Sequence, residues 1–269
     1  GPHNQRVLLD TRIHLFHRSS ELTLTGDANA ANVSLLLRGN AFSIIDDSLN
    51  NFGILKYGDA AISTTVYKYG TSSLVFDGSE DYLDTALSSD FDLGTITSST
   101  NYTAEFWIKT GTVHEGTLMV HAGPGSGGSS RGGWGLYLSE NNRIYFVTSR
   151  TTTSPEPWYY VHKTTDSAIS TNTWHHVALV IESGVPKIYI DGVYVSQQVL
   201  GGNAIYASSP IGFDTTKLDW PLTIGASPPD SGNGLRSLFN GYMDDIRITK
   251  NVARYTSNFT PPDSELPNS

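Results

Sequence analysis

The 269-residue sequence contains no cysteine. That absence excludes disulfide cross-links and thiolate metal sites, so stability outside a cell must come from packing or from a bound ion. Charge is sparse and one-sided: 17 Lys and Arg stand against 26 Asp and Glu, a formal net charge of −9. A nucleic-acid partner needs clustered cations on its phosphates, and this balance argues against one. No apolar run approaches the ~18 residues that span a bilayer, so no membrane insertion is expected. No segment long enough for an ordinary helix shows helical periodicity. No secretory leader is read in the opening residues. Gly1-Pro2 instead resembles a protease-cleavage remnant, and a piece of a longer, modular protein is the expectation.

What is present is strand and turn chemistry. Apolar residues at 38% and charged residues at 16% fit a folded chain with a polar surface. The clearest stretch is Thr171–Val193, TNTWHHVALVIESGVPKIYIDGV. His175, Val177, Leu179 and Ile181 fall on one face of its first run, and Trp174, His176, Ala178 and Val180 on the other. Alternation around Ser-Gly and Asp-Gly predicts a β-hairpin leading into a further strand. Similar runs occur at Val33–Leu37, Ala61–Thr64, Ser73–Phe76, Tyr82–Thr85, Tyr102–Lys109, Leu118–His121, Trp134–Leu138, Arg143–Thr148 and Tyr242–Ile248, and a helical turn is expected before the exit prolines. About a dozen short strands predict an all-β sandwich of two antiparallel sheets. Residues 1–30 read as a connector or the tail of a preceding domain, with short strands near Ile13–Phe16 and Leu22–Thr25. Residues 31–265 read as the domain, and 266–269 as a tail.

Four segments resemble, in order and spacing, concanavalin A-like domains of the laminin-G/pentraxin type: SLVFDGSEDYL, YTAEFWIKT, NTWHHVALVIESGVPKIYIDGV and GYMDDIRITKNVARYT. The phrasing VSLLLRGN…DDSLNNFGI and the exit RYTSNFTPP are most similar to modules of phage tail-fibre and other virion or surface proteins. Similar modules also accompany glycoside hydrolases. The resemblance implies a jelly roll of two curved antiparallel sheets and leaves function to the site.

Hydrolases on this scaffold carry a Glu-x-Asp-x-Glu strand whose carboxylates act as acid and nucleophile. No such run exists here, and the strand YTAEFWIKT offers only Glu105. Adjacent His175 and His176 point to opposite faces of a strand and cannot converge on one atom. Enzyme activity is therefore not expected. The glycine-rich Gly123–Gly133 lacks the Lys-Ser/Thr ending of a phosphate loop and reads as a hairpin tip. Three Asn-x-Ser/Thr sequons, at Asn32, Asn101 and Asn258, are the number that chance gives in a Ser/Thr-rich chain.

Asp244 shares an alternation face with Ile246 and Ile248, which places it in or beside the core, where a carboxylate needs a cation, an arginine or N–H donors. The resembled group often holds a structural calcium near this strand, and Asp77, Asp46 and Asp47 are the positions here that would complete its shell. The competing arrangement is Asp244 on Arg247 or on backbone N–H groups. Sugar sites stack rings on apolar sugar faces and fix hydroxyls with polar side chains. Trp158, Tyr159 and Tyr160 beside Glu156, Trp220 beside Asp219, and Arg131 with Trp134 lie in Pro- and Gly-rich segments and are the candidate ligand-binding residues.

The expectation is a non-catalytic, lectin-like adhesion module on a virion or cell surface, its partner a host or cell-surface glycan and its weak sites multiplied by repetition. Homo-oligomerisation, as a trimer in a tail fibre, goes with that setting. A virion assembly module and an accessory domain of a glycoside hydrolase are the alternatives.

Overall fold

The computed structural model describes residues 26–40, 42–112, 114–122, 133–139, 141–149, 159–164, 169–195, 197–200, 220–227 and 237–267. The strands are β1 (Val33–Gly39), β2 (Ile44–Asp46), β3 (Leu55–Tyr57), β4 (Ala61–Ser63), β5 (Ser73–Asp77) and β6 (Tyr82–Asp84). Next come β7 (Tyr102–Lys109), β8 (Gly116–Ala122), β9 (Gly133–Leu138), β10 (Ile144–Ser149), β11 (Tyr159–Thr164) and β12 (His175–Glu182). The last are β13 (Val185–Ile190), β14 (Val193–Tyr194), β15 (Gln197–Leu200), β16 (Thr223–Ile224) and β17 (Asn240–Lys250). Only two single 3-10 turns, Ala30–Asn32 and Ser89–Phe91, interrupt the β structure of the described residues. The expected helical turn is absent: residues 251–262 form turns and extended chain.

Two antiparallel sheets face one another. The nine-stranded sheet runs β14-β13-β12-β7-β17-β1-β2, with β5 on the first half of β17 and β4 beyond it. The eight-stranded sheet runs β15-β11-β10-β9-β8-β16-β6-β3. Between them lie Tyr102, Ala104, Phe106 and Ile108 of β7, Val177, Leu179 and Ile181 of β12, and Trp134, Leu136 and Leu138 of β9. These are alternate residues of each strand, as a two-layer core requires. The hairpin in 171–193 forms as its sequence predicts. Ser183 and Gly184 have φ of 51° and 79°, and Asp191 and Gly192 of 49° and 76°. Paired positive φ values mark the tight turns whose twist matches the strands they join.

β17 breaks the simple alternation. Its register against β7 shifts between Asp244 and Arg247, and Asp245 takes a φ of 48°. The extra residue keeps Met243, Ile246 and Ile248 in the core and puts Asp244 opposite Trp107 on the outer face. Asp244 therefore does not share the core face with Ile246 and Ile248, as strict alternation had implied.

The outer face of the nine-stranded sheet is roofed by its own chain ends. Ala253, Tyr255 and Phe259 pack on Ala178, Val180 and Tyr189. The expected tail at 266–269 begins too early, because Leu266 is buried. Its N–H donates to Asp245 Oδ2 at 2.8 Å, and its carbonyl accepts from Arg38. At the other end Asp27 pairs with Arg247 and Arg254, so the last residues of the expected connector pack on the domain. The strands expected at Ile13–Phe16 and Leu22–Thr25 lie outside the described residues.

Candidate functional site

Strand register brings the predicted sugar-binding segments to one place. His121, Trp134, Thr148 and Tyr160 are successive partners across β8, β9, β10 and β11, and Ala122, Gly133, Ser149 and Tyr159 form the next row. The glycine-rich segment therefore leaves β8 and enters β9 at the same sheet end where the Pro-rich segment leaves β10 and enters β11. β16 pairs with β8 through Thr223↔Val120 and Ile224↔Met119, so the half-buried Trp220 enters the sheet from that end as well. Three separated stretches of sequence thus share one rim of the eight-stranded sheet. Arg131, Glu156, Trp158 and Asp219 themselves lie outside the described residues, and Tyr159 and Tyr160 are described in their backbone only.

Trp134 is corrected by the structure. It is 1% exposed, and its indole N–H donates to the Phe91 carbonyl at 2.8 Å. Position on β9 explains this, since Trp134 alternates with the core residues Leu136 and Leu138. It is a wall of the core below the rim, where Tyr102 meets it edge-on at 5.6 Å. Beside it, buried His121 places Nε2 2.9 Å from Asp92 Oδ1.

The outward face of the same sheet continues from the rim. One row crosses six strands as Leu55, Asp84, Thr223, Val120, Gly135 and Val147. Asp84 accepts from the Thr223 hydroxyl at 2.6 Å, and burial raises its pKa against that hydrogen bond. Tyr57 and Tyr82, cross-strand partners in the next row, stack at 4.3 Å with planes 5° apart. On β9 the outward residues are Gly133, Gly135 and Tyr137, and the Tyr137 ring lies over Gly135, where a Cβ would come within 2.6 Å of it. Exposed Leu55 and Tyr57 and half-buried Tyr82 stand beside the Asp84 carboxylate, giving this part of the face rings and a hydrogen-bond acceptor together, while half-buried Tyr137 and Tyr145 pair with each other on β9 and β10, beyond buried Thr223 and Val120. β6 falls within the predicted run Tyr82–Thr85, but its partner β3 is only three residues long, too short for an alternation signal, so the pairing that builds this face is not legible in the sequence. The turn-rich flanks of YLD and LKY were the one available clue.

The four carboxylates proposed for calcium do not form one shell. Asp46 Oδ1 accepts the N–H groups of Leu36 and Ser48, each at 2.9 Å. Its Oδ2 accepts the Ser48 hydroxyl at 2.9 Å and the Phe52 N–H at 2.8 Å. Asp47 pairs with Arg38 at 3.3 Å. Asp77 is exposed and accepts the Ser79 N–H at 2.7 Å. Asp244 Oδ2 accepts the N–H groups of Lys68 and Tyr69 at 2.8 and 3.2 Å, the backbone arrangement weighed against calcium. Burial still lifts its pKa to about 6, with the Asp245 charge adding to the rise. Among the described residues, no group of three or more His, Asp or Glu side chains converges as a metal site. The donor set does not fit a calcium ion held by these four residues.

Glu105, the one carboxylate on β7, is 0% exposed. Arg247 donates to its Oε1 from Nε and Nη2 at 2.9 and 2.7 Å, and the Tyr255 hydroxyl donates to Oε2 at 2.7 Å. His176 Nε2 lies 3.2 Å from Oε2 but too poorly aligned for a hydrogen bond. Burial acts to raise the Glu105 pKa, and the Arg247 guanidinium, neighbouring His176 and the Tyr255 hydroxyl together outweigh it and hold it at about 2. His175 instead meets Ser170 and Asp191, so the two adjacent histidines serve separate networks. The sequons also hold turns: Asn101 Oδ1 accepts the Ser183 N–H, and Asn258 Oδ1 the Tyr194 N–H.

With sandwich, core and rim in place, the class is a lectin-type jelly roll. The chain belongs to the concanavalin A-like lectin/glucanases superfamily, whose laminin-G-type model matches residues 77–254, more than half of its length. No curated protein matches the chain. Among solved structures it is similar to the receptor-binding domain of botulinum neurotoxin C/D mosaic serotype, at 17% identity and a TM-score of 0.56, covering 85% of this chain and 49% of that one. It is likewise similar to the botulinum neurotoxin serotype D ligand-binding domain in complex with N-acetylneuraminic acid, at 16% identity and TM-score 0.56 over 85% and 49% of the two chains. The binding domain of Paraclostridial Mosquitocidal Protein 1 aligns at 14% identity and TM-score 0.57, over 82% and 49%. The chain spans about half the length of these domains, and the likeness is one of fold.

Proposed function

We propose that this chain is a non-catalytic carbohydrate-binding and adhesion module of a phage tail, virion or cell-surface protein, acting at the extracellular surface on host glycans. The observation that carries the reading is the shared rim: segments 123–132, 150–158 and 201–219 all meet the eight-stranded sheet at one end, beside the face bearing Tyr57, Tyr82 and Asp84. A sugar stacks its C–H face on rings and fixes its hydroxyls with carboxylate and main-chain groups, and this face offers both. Individual contacts of this kind are weak, so a module of a fibre or surface array gains by repetition. A non-catalytic role is supported by Glu105, whose carboxylate is fully engaged by Arg247 and Tyr255 and has no free lone pair toward solvent.

A glycan array probed with the chain displayed on tetrameric streptavidin tests the reading. Selective retention is expected, and it falls about 5- to 30-fold in each of Tyr82→Ala and Asp84→Ala, as losing a stacking or a hydrogen-bonding contact of about 1–2 kcal/mol implies. Failure of every glycan to be retained overturns it.

A further inference from the structure

The outer face of the nine-stranded sheet holds a second cluster that the rim does not use. On this face Tyr242 is the cross-strand partner of Lys109, and Trp107 lies two residues along β7 from Lys109. Trp174, immediately before β12, brings its ring to 6.5 Å from that of Tyr242 on β17, and β7, which carries Lys109, runs between those two strands. Lys68, from the segment leading to β5, sets its ammonium 4.1 Å from the Trp107 ring centre. Trp174, Tyr242, Lys109 and Lys68 are all half-buried, and neighbouring Tyr67 is exposed. The chain-end roof of Tyr255 and Phe259 covers His176, one row further in.

Two facts separate this cluster from an ordinary surface. The chain as a whole carries a net charge of −9, yet two lysines flank these rings. Neither ammonium has an ion-pair partner among the described residues, whereas Lys187 is held by Glu182, and Arg247 and Arg254 by Glu105 and Asp27. Asp244, the nearest carboxylate along β17, directs its oxygens to the N–H groups of Lys68, Tyr69 and Asp245. Two aromatic faces provide stacking for the C–H surface of a pyranose, and two uncompensated ammonium groups provide the counter-charge for a carboxylate.

From this juxtaposition we infer that the Trp174–Lys109–Tyr242 face, with Lys68, is a second saccharide site, selective for a carboxylated sugar. It lies on the opposite sheet from the rim, so its success or failure is independent of the rim site. Calorimetric titration of the full chain with 3′-sialyllactose and with digalacturonate as carboxylated probes, and with lactose as the neutral control, tests it. Both acidic probes bind and lactose binds at least tenfold more weakly. Lys109→Gln combined with Lys68→Gln weakens the acidic probes about tenfold and leaves lactose unchanged. Trp174→Ala weakens all three, while Tyr82→Ala and Asp84→Ala on the opposite sheet change none. Neither lysine head has an ion-pair partner among the described residues, and Lys68 gives up only its ring contacts with Trp107 and Tyr69. The double variant therefore stays folded and loses no more than about fivefold in its folding equilibrium, about 1 kcal/mol, by its urea midpoint. Equal binding of lactose, an unaffected double variant, or loss of acidic-sugar binding in Asp84→Ala overturns the inference. So does a hexaglutamate peptide that binds as tightly as the sugars, because the site would then recognise charge alone.

Discussion

Glu105 shows what a single residue does in this sandwich. On an outward-facing position of β7 it would be solvated in a bare sheet, yet Arg247 of β17 and Arg254 and Tyr255 of the C-terminal segment seal it in, and Asp27 from the other chain end pairs with both arginines. Ion pairs in such a place gain little over apolar packing, but breaking one strands a buried charge. Arg247→Ala is therefore expected to cost about 3–5 kcal/mol, read as a lower urea midpoint at pH 7. A loss under about 1 kcal/mol would mean that water reaches Glu105. Asp46 makes the complementary case. Its four protein donors saturate both oxygens without an ion. Melting in the presence of a calcium chelator is expected to leave the midpoint unchanged, and a fall would place an ion on carboxylates that these donors already satisfy.

At the scale of elements, legibility followed strand length and the company each strand keeps. β7, β12 and β13 were readable because they run six to eight residues with one face in the core. β3 and β16 were not, since two or three residues cannot display a period, and their pairing is set by neighbours far away in sequence. The bulge at Asp245 was invisible for a related reason. Nothing in MDDIRI distinguishes a regular strand from one with an extra residue, and only register against Trp107 and Glu105 reveals it. Trp134 was misassigned because a glycine-rich neighbourhood suggested exposure, while membership of β9 determined burial. The rim itself was partly legible: aromatic loops could be named, but their convergence required the strand order. The bulge also matters for the chain end. Asp245 turns its carboxylate to Arg38, at 2.6 Å, and to the Leu266 N–H, which makes the last residues part of the sheet's outer layer. Removing residues 264–269 takes away one donor, one acceptor and a buried leucine. It should lower stability by about 2–4 kcal/mol and speed proteolysis, whereas a disposable tail would change neither.

For the whole molecule these local environments set a pH profile. Glu105 has its pKa lowered from 4.5 to about 2 in the folded state. Its stabilising contribution is complete above 4.5 and is lost as pH falls through about 2. Asp27, held by Arg254 and Arg247 against its burial, is lowered from 3.8 and acts in the same direction. Asp244 acts oppositely. Its pKa rises from 3.8 to about 6 because burial disfavours the charge. The folded state therefore holds that proton more tightly, and the resulting stabilisation is complete below 3.8 and lost as pH rises through about 6. Burial raises Asp81 and Asp84 as well, which adds to the loss on the alkaline side. The distance from 3.8 to about 6 corresponds to about 3 kcal/mol for Asp244, and Glu105 contributes a similar amount on the acid side. Stability should consequently peak near pH 4–5 and decline toward neutrality. Asp244→Asn separates this from every other titration: it removes the group that penalises high pH while keeping an oxygen for the N–H groups of Lys68 and Tyr69. Urea midpoints measured from pH 3 to pH 8 should fall between pH 4 and 7 in the wild type and stay flatter in the variant. Parallel curves would show that Asp244 titrates at its ordinary value, and that the outer face of β17 is wetter than its burial implies.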